Sequence, residues 1–438
     1  MSLKLMRMIN YLKDPQLVAS IQQFFGIKIH YSSHGKAFQK EEEQYTFGKL
    51  DNKEESYIAT CHNRKINGYD ENSKQLNQCT KQVNALKEET NKHKKTLTVL
   101  NNPNYTVINK FWFYIFVFGT ELGDEIFYST FIPFLFWNID GAVGQKVVLV
   151  WAIVMTIGQI LKDVICWPRP ACPPAVRLQN KWSQEYGMPS THAMVGFTIP
   201  FSVVLFTMNK YIYPFSVGCT IAFLWCALVS ISRLYLGMHT VLDVMAGLVL
   251  AIALMIPLVP LVAITNYYIV TNLWLVIILI TISITTIIYY PSSYRWTPTR
   301  SDTAMVVSVA AGLHAGAWLN YYTGLLRVSQ SLPPFHIVWP TCSTFSCLII
   351  RTVLGFSGVF ATKILCKIFS YIIICGIIQI NWKDLIKCQD YNSNQNKVFV
   401  DLVYKYVSCF MIGVNTVYLL PQIFSMIGIE RSEFYTEI

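Results

Sequence analysis

Long apolar runs dominate the chain from Phe111 onward, whereas the residues before it are largely polar. At 1.5 Å per residue, an apolar helix of about 20 residues crosses the hydrocarbon layer of a bilayer. The runs predict about nine transmembrane helices, near residues 112–138, 145–163, 192–209, 213–231, 240–264, 270–290, 303–323, 343–366 or somewhat later, and 400–425. The pattern therefore predicts an all-α, polytopic membrane helix bundle.

The residues before the first apolar run show two different patterns. In residues 1–30, Leu3, Met6 and Ile9 fall near helical spacing with Lys and Arg between them. This predicts an amphipathic helix that lies on the membrane or packs on the core. Residues 31–100 are polar, mixed in charge and poor in apolar periodicity, which is typical of a disordered or loosely helical extension.

Composition supports a membrane protein and argues against a nucleic-acid-binding one. The 438 residues are 53% hydrophobic and 14% charged, with a mean hydropathy of +0.38, which is too apolar for a soluble globular protein. The net charge is +10, but the N-terminal region interleaves Lys with Asp and Glu and forms no basic stripe. Attraction to a membrane surface explains this charge better than a nucleic-acid partner.

Three short polar clusters lie between residues 162 and 243, next to the ends of predicted helices. They are Lys162-x6-Arg169-Pro170, Pro189-Ser190-Thr191-His192, and Ser232-Arg233-x5-His239-x3-Asp243. Counting the membrane crossings places all three on one face of the membrane. A single charge at a helix end is an ordinary interfacial anchor, but the combination indicates one site.

These residue types are the ones that metal-free phosphate-ester chemistry needs. Arginine and lysine neutralise a phosphoryl dianion and hold it in a fixed geometry. One histidine can attack phosphorus while the other protonates the leaving oxygen. Because the cations already supply the charge that a metal would bring, and no oxygen-rich carboxylate cluster lies beside them, we predict no metal ion and no other cofactor.

The spacing also predicts local geometry around the two histidines. Ser190 is expected to cap the helix that carries His192, and the free N–H groups at that helix end form an anion site. His239 and Asp243 are four residues apart and share one helix face if the fifth helix begins by residue 239. If Asp243 accepts a hydrogen bond from one ring nitrogen, the other is unprotonated and aimed at phosphorus.

The clusters resemble those of the lipid phosphate phosphatase superfamily, which shares its catalytic core with glucose-6-phosphatase and the vanadium haloperoxidases. The similarity is strongest to its sphingosine-1-phosphate phosphatase branch. The residues that carry it are Pro-Ser-Thr-His at 189–192, where the wider superfamily usually has Gly at the third position, Ser-Arg-Leu-Tyr-Leu-Gly-Met-His at 232–239, Glu-Leu-Gly-Asp-Glu at 121–125, Met-Ser-Leu at 1–3 and Asp-Pro-Gln at 14–16. Since Thr191 is β-branched, the turn there should keep ordinary backbone angles.

The resemblance implies an activity and a role for each motif residue. It implies a phosphatase of sphingosine 1-phosphate and related long-chain base phosphates, in the endoplasmic reticulum membrane, with a vanadium-haloperoxidase-like core. His239 would form a phosphohistidine, Asp243 would support it, and His192 would act as acid and then base. The implied phosphate ligands are Lys162, Arg169, Ser190, Thr191 and Arg233. On this reading the chain comprises an N-terminal extension (1–110), a catalytic membrane core (111–265) and C-terminal transmembrane helices (266–438).

Two other functional classes remain open on the residues alone. The first is a phosphatase of broader lipid specificity, or a transferase that moves phosphoryl headgroups between lipids. The second is a transporter or scaffold without enzymatic activity. A transporter predicts charged residues near the bilayer midplane, whereas the clusters here lie at helix ends.

Three acidic residues interrupt the first apolar run: Glu121, Asp124 and Glu125. Carboxylates at the edge of a membrane helix are costly unless they face water, a protein partner or a ligand. Sphingosine 1-phosphate carries an ammonium group close to its phosphate, so one of these acids is a candidate to bind it. The alternative is structural: the acids cap a helix or pair with a basic loop residue such as Arg177.

Overall fold

The computed structural model is almost entirely helical. It describes residues 3–30, 104–179, 181–291, 297–326, 334–337, 341–379, 395–431 and 434–436. The whole of the polar extension predicted over residues 31–100 therefore lies outside the described residues.

The N-terminal segment forms two short helices rather than the single amphipathic helix predicted. These are α1 (Leu3–Leu12) and α2 (Pro15–Phe24). The break falls at Asp14, whose side chain accepts a hydrogen bond from the Gln16 N–H at 2.9 Å, while Pro15 occupies the first helical position. A proline has no N–H to continue the preceding helix, but its fixed φ suits the start of a new one.

Strand β1 (Ile27–His30) follows α2 and pairs antiparallel with β2 (Asn104–Val107). The register sets Ile27 opposite Val107 and His30 opposite Asn104. This pairing brings the chain back to the N-terminal helices immediately before the first apolar run.

The first predicted transmembrane span, 112–138, is interrupted. It comprises α3 (Lys110–Glu121) and α4 (Glu125–Asn138), separated by three residues. Asp124 has extended backbone angles and occupies the N-cap position of α4. Its side chain accepts a hydrogen bond from the Glu125 N–H at 2.6 Å and so caps the helix. The acidic residues that interrupt the apolar run thus mark a real helix boundary, and the prediction of one continuous helix is wrong.

The remaining helices cover the other predicted spans, although α8 and α11 continue past the predicted ends to Thr271 and Ile378. They are α5 (Gly141–Ile165), α6 (Thr191–Thr207), α7 (Phe215–Tyr235), α8 (Val241–Thr271), α9 (Leu273–Ile288), α10 (Thr299–Tyr322), α11 (Cys342–Ile378), α12 (Gln395–Val414), a π-helix (Asn415–Leu419), α13 (Leu420–Ile427) and a 3₁₀ turn (Phe434–Thr436). A short parallel pair joins β3 (Tyr211–Ile212) to β4 (Phe335–His336).

Five helices in the described part of the chain are long and apolar enough to cross a membrane: α5, α7, α8, α11 and the continuous stretch 396–427. Helices α6 and α9 are apolar but shorter. Large apolar side chains on their outer faces are exposed, for instance Ile256, Trp274 and Ile377. In water such exposure would be unfavourable, so these faces fit contact with lipid.

Helix α5 lies at the centre of the bundle and contacts α4, α6, α8 and α10. One apolar core forms around the fully buried Phe136 and Trp137 and includes Val147 and Trp151 of α5. Helices α10 and α12 approach each other closely at Gly312, where a Cβ would lie 2.1 Å from the Phe410 carbonyl oxygen. Near the start of α10, Thr303 Oγ1 donates to Gln159 Oε1 at 2.5 Å. This bond ties α10 to the end of α5 where the first polar cluster begins.

Candidate active site

The three polar clusters meet at one end of the bundle. Lys162 lies in the last turn of α5, and Arg169 in the loop that follows. Ser190 precedes α6, whose first two residues are Thr191 and His192. Arg233 lies in the last turn of α7, His239 precedes α8, and Asp243 lies in the first turn of α8. Helix ends from three separate sequence regions therefore supply one site.

The first two clusters are joined by Lys162, whose side chain is only 1% exposed. Its Nζ donates to Glu185 Oε2 at 2.6 Å and to Thr191 Oγ1 at 3.0 Å. Thr191 is thus held by the predicted phosphate-binding lysine. Its φ is not positive, as its β-branched side chain requires.

Arg169 joins the first cluster to the third. Its Nε donates to the Glu185 carbonyl oxygen at 2.9 Å, and its Nη1 donates to the Met238 carbonyl oxygen at 2.7 Å. The same Nη1 lies 3.4 Å from Nε2 of His239. A cation is therefore fixed beside one ring nitrogen of the histidine for which the resemblance implies a phosphoryl bond.

The orientation of His239 differs from the one that the spacing predicts. Its Nδ1 donates to the Gly187 carbonyl oxygen at 2.8 Å, whereas Asp243 Oδ2 lies 3.9 Å away. Asp243 instead accepts from the Thr240 N–H at 2.7 Å and completes a capping box at the start of α8. Because α8 begins after residue 239, His239 is not on the helix face that an i,i+4 contact needs. The expected direct Asp–His hydrogen bond is therefore wrong.

The Gly187 contact has the chemical effect expected of Asp243. A carbonyl oxygen only accepts, so the proton of a neutral His239 ring must reside on Nδ1. Nε2 then carries the lone pair and faces Arg169. The backbone carbonyl of Asp243 accepts from the Ser190 N–H at 3.0 Å, three residues after Gly187 in the same loop.

The surroundings of His239 also keep its ring neutral. Its pKa is held well below the ordinary value of 6.5, first by burial and then by the charges of Arg169, Arg233, Lys162 and the second histidine, His192. A neutral ring is the nucleophilic form.

Several buried polar atoms in this site have no hydrogen-bond partner among the described residues. They include Ser190 Oγ, His192 Nε2, and Nε and Nη2 of Arg233. Ser190 occupies the N-cap position of α6, but its hydroxyl makes no capping bond, contrary to the sequence-based prediction. Buried polar groups are rarely left unpaired, so these atoms are the ones that a polar ligand would satisfy.

Arg233 is fully buried, and its position depends on residues that the sequence patterns did not identify. Its Nη1 donates to Thr120 Oγ1 at 2.9 Å and to Gln179 Oε1 at 3.3 Å. Thr120 Oγ1 also lies 3.1 Å from Ser232 Oγ. One edge of the guanidinium is thus fixed by α3 and the loop before α6, while Nε and Nη2 stay available.

Gln22 of α2 is a further residue that sequence reasoning missed. Its Nε2 donates to the carbonyl oxygens of Val176 and Tyr235 at 2.7 and 2.9 Å, and its Oε1 accepts from the Val176 N–H at 2.9 Å. The adjacent Gly237 has a φ of +66°, and a Cβ there would lie 2.1 Å from the Val176 oxygen. Only glycine fits where the backbone at residue 237 passes so close to the Val176 carbonyl. The N-terminal segment therefore holds the loop between Arg233 and His239.

The three acidic residues near α3 have different surroundings. Asp124 is buried, caps α4 and forms a salt bridge of 2.7 Å with Lys181. Glu121 and Glu125 are exposed. For Asp124 the structural alternative applies, with Lys181 rather than Arg177 as its partner.

In the described residues, no group of three His, Cys, Asp or Glu side chains is placed to hold a metal ion. The cationic groups around His239 are instead suited to an anion.

Comparison with known proteins places this geometry in a family. Residues 145–267, which include all three clusters, match the profile of the PAP2 superfamily. The chain is 36% identical over 318 residues to "Sphingosine-1-phosphate phosphatase 1" of Mus musculus, covering 72% of this chain and 73% of that protein. The chain belongs to the sphingosine-1-phosphate phosphatase family.

A second family member, "Sphingosine-1-phosphate phosphatase 2" of Homo sapiens, is 32% identical over 326 residues, or 74% of this chain and 80% of that protein. "Lipid phosphate phosphatase delta" of Arabidopsis thaliana is 31% identical over 30% of this chain and 33% of its own length. No solved structure matches the chain. The sphingosine-1-phosphate phosphatase resemblance predicted from the clusters is confirmed.

Proposed function

We propose that this protein is a metal-independent phosphomonoesterase that removes the phosphate from sphingosine 1-phosphate and related long-chain base phosphates. Family membership supports the lipid phosphate substrate. The observation that carries the chemistry is the set of buried, unpartnered polar atoms of Ser190, His192 and Arg233, which belong to the same polar clusters as His239. A phosphate ester supplies oxygen atoms for these groups.

In the first step, Nε2 of His239 attacks phosphorus, and the bond between phosphorus and the ester oxygen breaks. Arg233, Ser190 and the N-terminal N–H groups of α6 bind the phosphoryl oxygens, with Lys162 and Arg169 beside them. His192 gives its proton to the leaving alkoxide, which departs as the alcohol of the long-chain base.

In the second step, water hydrolyses the phosphohistidine. His192 now removes a proton from the water molecule, whose oxygen attacks phosphorus and breaks the phosphorus–nitrogen bond. Inorganic phosphate leaves, His239 is regenerated with its neutral ring, and His192 is again protonated for the next cycle. Throughout, Asp243 is a positioning residue, since its backbone carbonyl binds the Ser190 N–H in the loop whose Gly187 carbonyl fixes the His239 tautomer.

The same proposal includes a membrane arrangement. Nine crossings, with α3 and α4 together forming the first, would place the vanadium-haloperoxidase-like core at one membrane face in the endoplasmic reticulum. The apolar outer faces of the long helices support embedding. The proposed division is residues 1–110, 111–265 and 266–438, although Gln22 ties part of the first segment to the second.

The deciding experiment uses the purified full-length protein in detergent micelles and measures phosphate release from sphingosine 1-phosphate and from phosphatidic acid. We expect a clear preference for the sphingoid substrate, with no transfer of the phosphoryl group to an added acceptor alcohol. Equal rates on both lipids would indicate a broad lipid phosphatase, and phosphorylated acceptor would indicate a transferase. If neither lipid is hydrolysed, the proposal is wrong.

We also propose that a carboxylate near α3 contributes to selectivity for the free amine. Among Glu121, Asp124 and Glu125, Asp124 is already neutralised by Lys181, which leaves the two exposed glutamates as the better candidates. The test is Glu121→Gln, Asp124→Asn and Glu125→Gln, each assayed on sphingosine 1-phosphate and its N-acetylated analogue. If none of the three narrows the preference for the free amine, these acids do not recognise the ammonium group.

A further inference from the structure

Glu185 is a buried carboxylate inside the proposed phosphate site, and the mechanism above gives it no role. It lies in the turn before α6, and its side chain is 7% exposed. Its Oε2 is 2.6 Å from Lys162 Nζ and 3.8 Å from Arg169 Nη2, while its backbone oxygen accepts from Arg169 Nε. One residue therefore contacts two of the three cations expected to meet the substrate.

A negative charge in this position has two opposed effects. It compensates Lys162, which would otherwise be a buried cation without a counter-charge. It also repels the phosphoryl dianion that the cations attract. With Lys162, Arg169 and Arg233 positive and Glu185 negative, these four side chains sum to two positive charges, and a protonated His192 adds a third.

We propose that Glu185 is a positioning residue that acts through Lys162 and Arg169, and that its fixed negative charge limits the affinity of the site for inorganic phosphate so that the product leaves. This inference rests on the proposed function, because it takes the phosphate to bind among these cations. Without Glu185, and with His192 protonated after hydrolysis, four positive charges instead of a net three would face the product dianion. Hydrolysed phosphate would then stay bound and block the next cycle.

The test is Glu185→Gln, which removes the charge and keeps the shape. Binding of inorganic phosphate and of orthovanadate is measured directly by calorimetry on the purified full-length protein. We expect both dissociation constants to fall about tenfold or more, since a unit charge beside a bound dianion is weakly screened in a buried site. In turnover, kcat and KM for sphingosine 1-phosphate should fall together, and inhibition by added phosphate should strengthen by a similar factor.

Two control variants separate charge from packing. Glu185→Asp keeps the charge, so its affinity for phosphate should stay near that of the wild type. Asp140→Asn removes a buried carboxylate that pairs with Lys210 at 2.5 Å. Asp140 caps the opposite end of α5, about 33 Å from Lys162 at 1.5 Å per residue. This change should lower thermal stability without altering phosphate affinity.

A second route covers the case in which Glu185→Gln does not fold. Lys162→Met removes the cation and keeps the Glu185 carboxylate. The double variant Lys162→Met/Glu185→Gln removes both charges. If Glu185 repels phosphate, the double variant binds phosphate about tenfold more tightly than Lys162→Met alone. Equal affinity in these two variants overturns the inference.

Other outcomes also overturn it. Unchanged or weaker phosphate binding in Glu185→Gln would mean that Glu185 only holds the cations in place. A higher KM for sphingosine 1-phosphate, with no effect on the N-acetylated analogue, would make Glu185 the ammonium partner instead. If the wild type hydrolyses sphingosine 1-phosphate but the Glu185 variants give either of these results, only the role of Glu185 in phosphate release is refuted. If the wild type neither binds vanadate nor hydrolyses the lipid, the proposed function fails with it.

Discussion

Replacing Gln22 tests whether the N-terminal segment belongs to the catalytic unit. Its amide makes three hydrogen bonds at a fully buried position, two to Val176 and one to Tyr235. Tyr235 lies within the segment from Arg233 to His239, and Val176 lies in the loop between α5 and α6. The hydrogen bonds of Gln22 in the structure go to neither of the proposed catalytic histidines. Gln22→Ala removes all three bonds and leaves the backbone groups buried.

The expected magnitude follows from those bonds. Leaving a buried donor or acceptor unpaired costs about 1–3 kcal/mol each. Water can enter the space vacated by the side chain and recover part of this cost, so we expect a net loss of about 3 kcal/mol in the free energy of docking α2. At about 1.4 kcal/mol per factor of ten, the undocked population rises roughly a hundredfold.

Hydrogen–deuterium exchange measures this change directly, because the Val176 N–H donates to Gln22 Oε1. Exchange of the peptide around Val176 should accelerate by up to about a hundredfold in Gln22→Ala, and kcat/KM should fall with it. The matched control is Gln23→Ala, which changes the same residue type on the exposed side of α2. If Gln22→Ala exchanges and turns over like Gln23→Ala, the N-terminal segment does not support the site.

Three further outcomes follow from the site. His239→Ala should reduce turnover by at least about a hundredfold because no covalent route remains, and a variant that keeps more activity, with contamination excluded, would refute the phosphohistidine. Activity should persist in EDTA and be inhibited by vanadate, which mimics the trigonal-bipyramidal transition state; rescue by a divalent ion after chelation would indicate a metal mechanism. The neutral form of His239 reacts and its pKa is lowered, so the fall of kcat/KM at acid pH that protonation of His239 causes should have its midpoint below pH 6.5. The pH profile of kcat/KM is first corrected for the second ionisation of the substrate phosphate, which phosphorus NMR measures. A midpoint at or above pH 6.5 after this correction would contradict the lowered pKa.

The sequence predicted the helical architecture well where apolar runs are long. Helices α5 to α10 begin within a few residues of the predicted spans, because continuous apolar stretches leave few alternatives, although α8 continues past its predicted end to Thr271. The acidic residues were recognised as an interruption of the first apolar run, but not as the boundary between two helices, α3 and α4. The capping bond to Glu125 that ends the run depends on local geometry rather than on mean hydropathy.

The candidate site was also predicted in part from the sequence. Motif spacing predicted which residues lie near His239, since each cluster adjoins a helix end on the same face. It did not predict the contact between His239 and Gly187, because a backbone carbonyl leaves no mark in a side-chain pattern. Glu185 lies only a few residues before Ser190, but an isolated glutamate in a polar loop is ordinary in sequence. Its significance appears only when Lys162 is seen 2.6 Å away.

The contacts of Gln22 also set an order of events during synthesis. Its partners lie 154 and 213 residues later in the chain. At roughly 5–20 residues per second, a ribosome needs about 10–40 s to make the second partner after Gln22. Helix α2 is therefore among the first elements made and cannot complete its docking until α7 has been synthesised. A nascent chain that ends before Tyr235 lacks the hydrogen bond between Gln22 and the Tyr235 carbonyl oxygen. The segment that is synthesised first is therefore one of the last to dock, against the loop between Arg233 and His239.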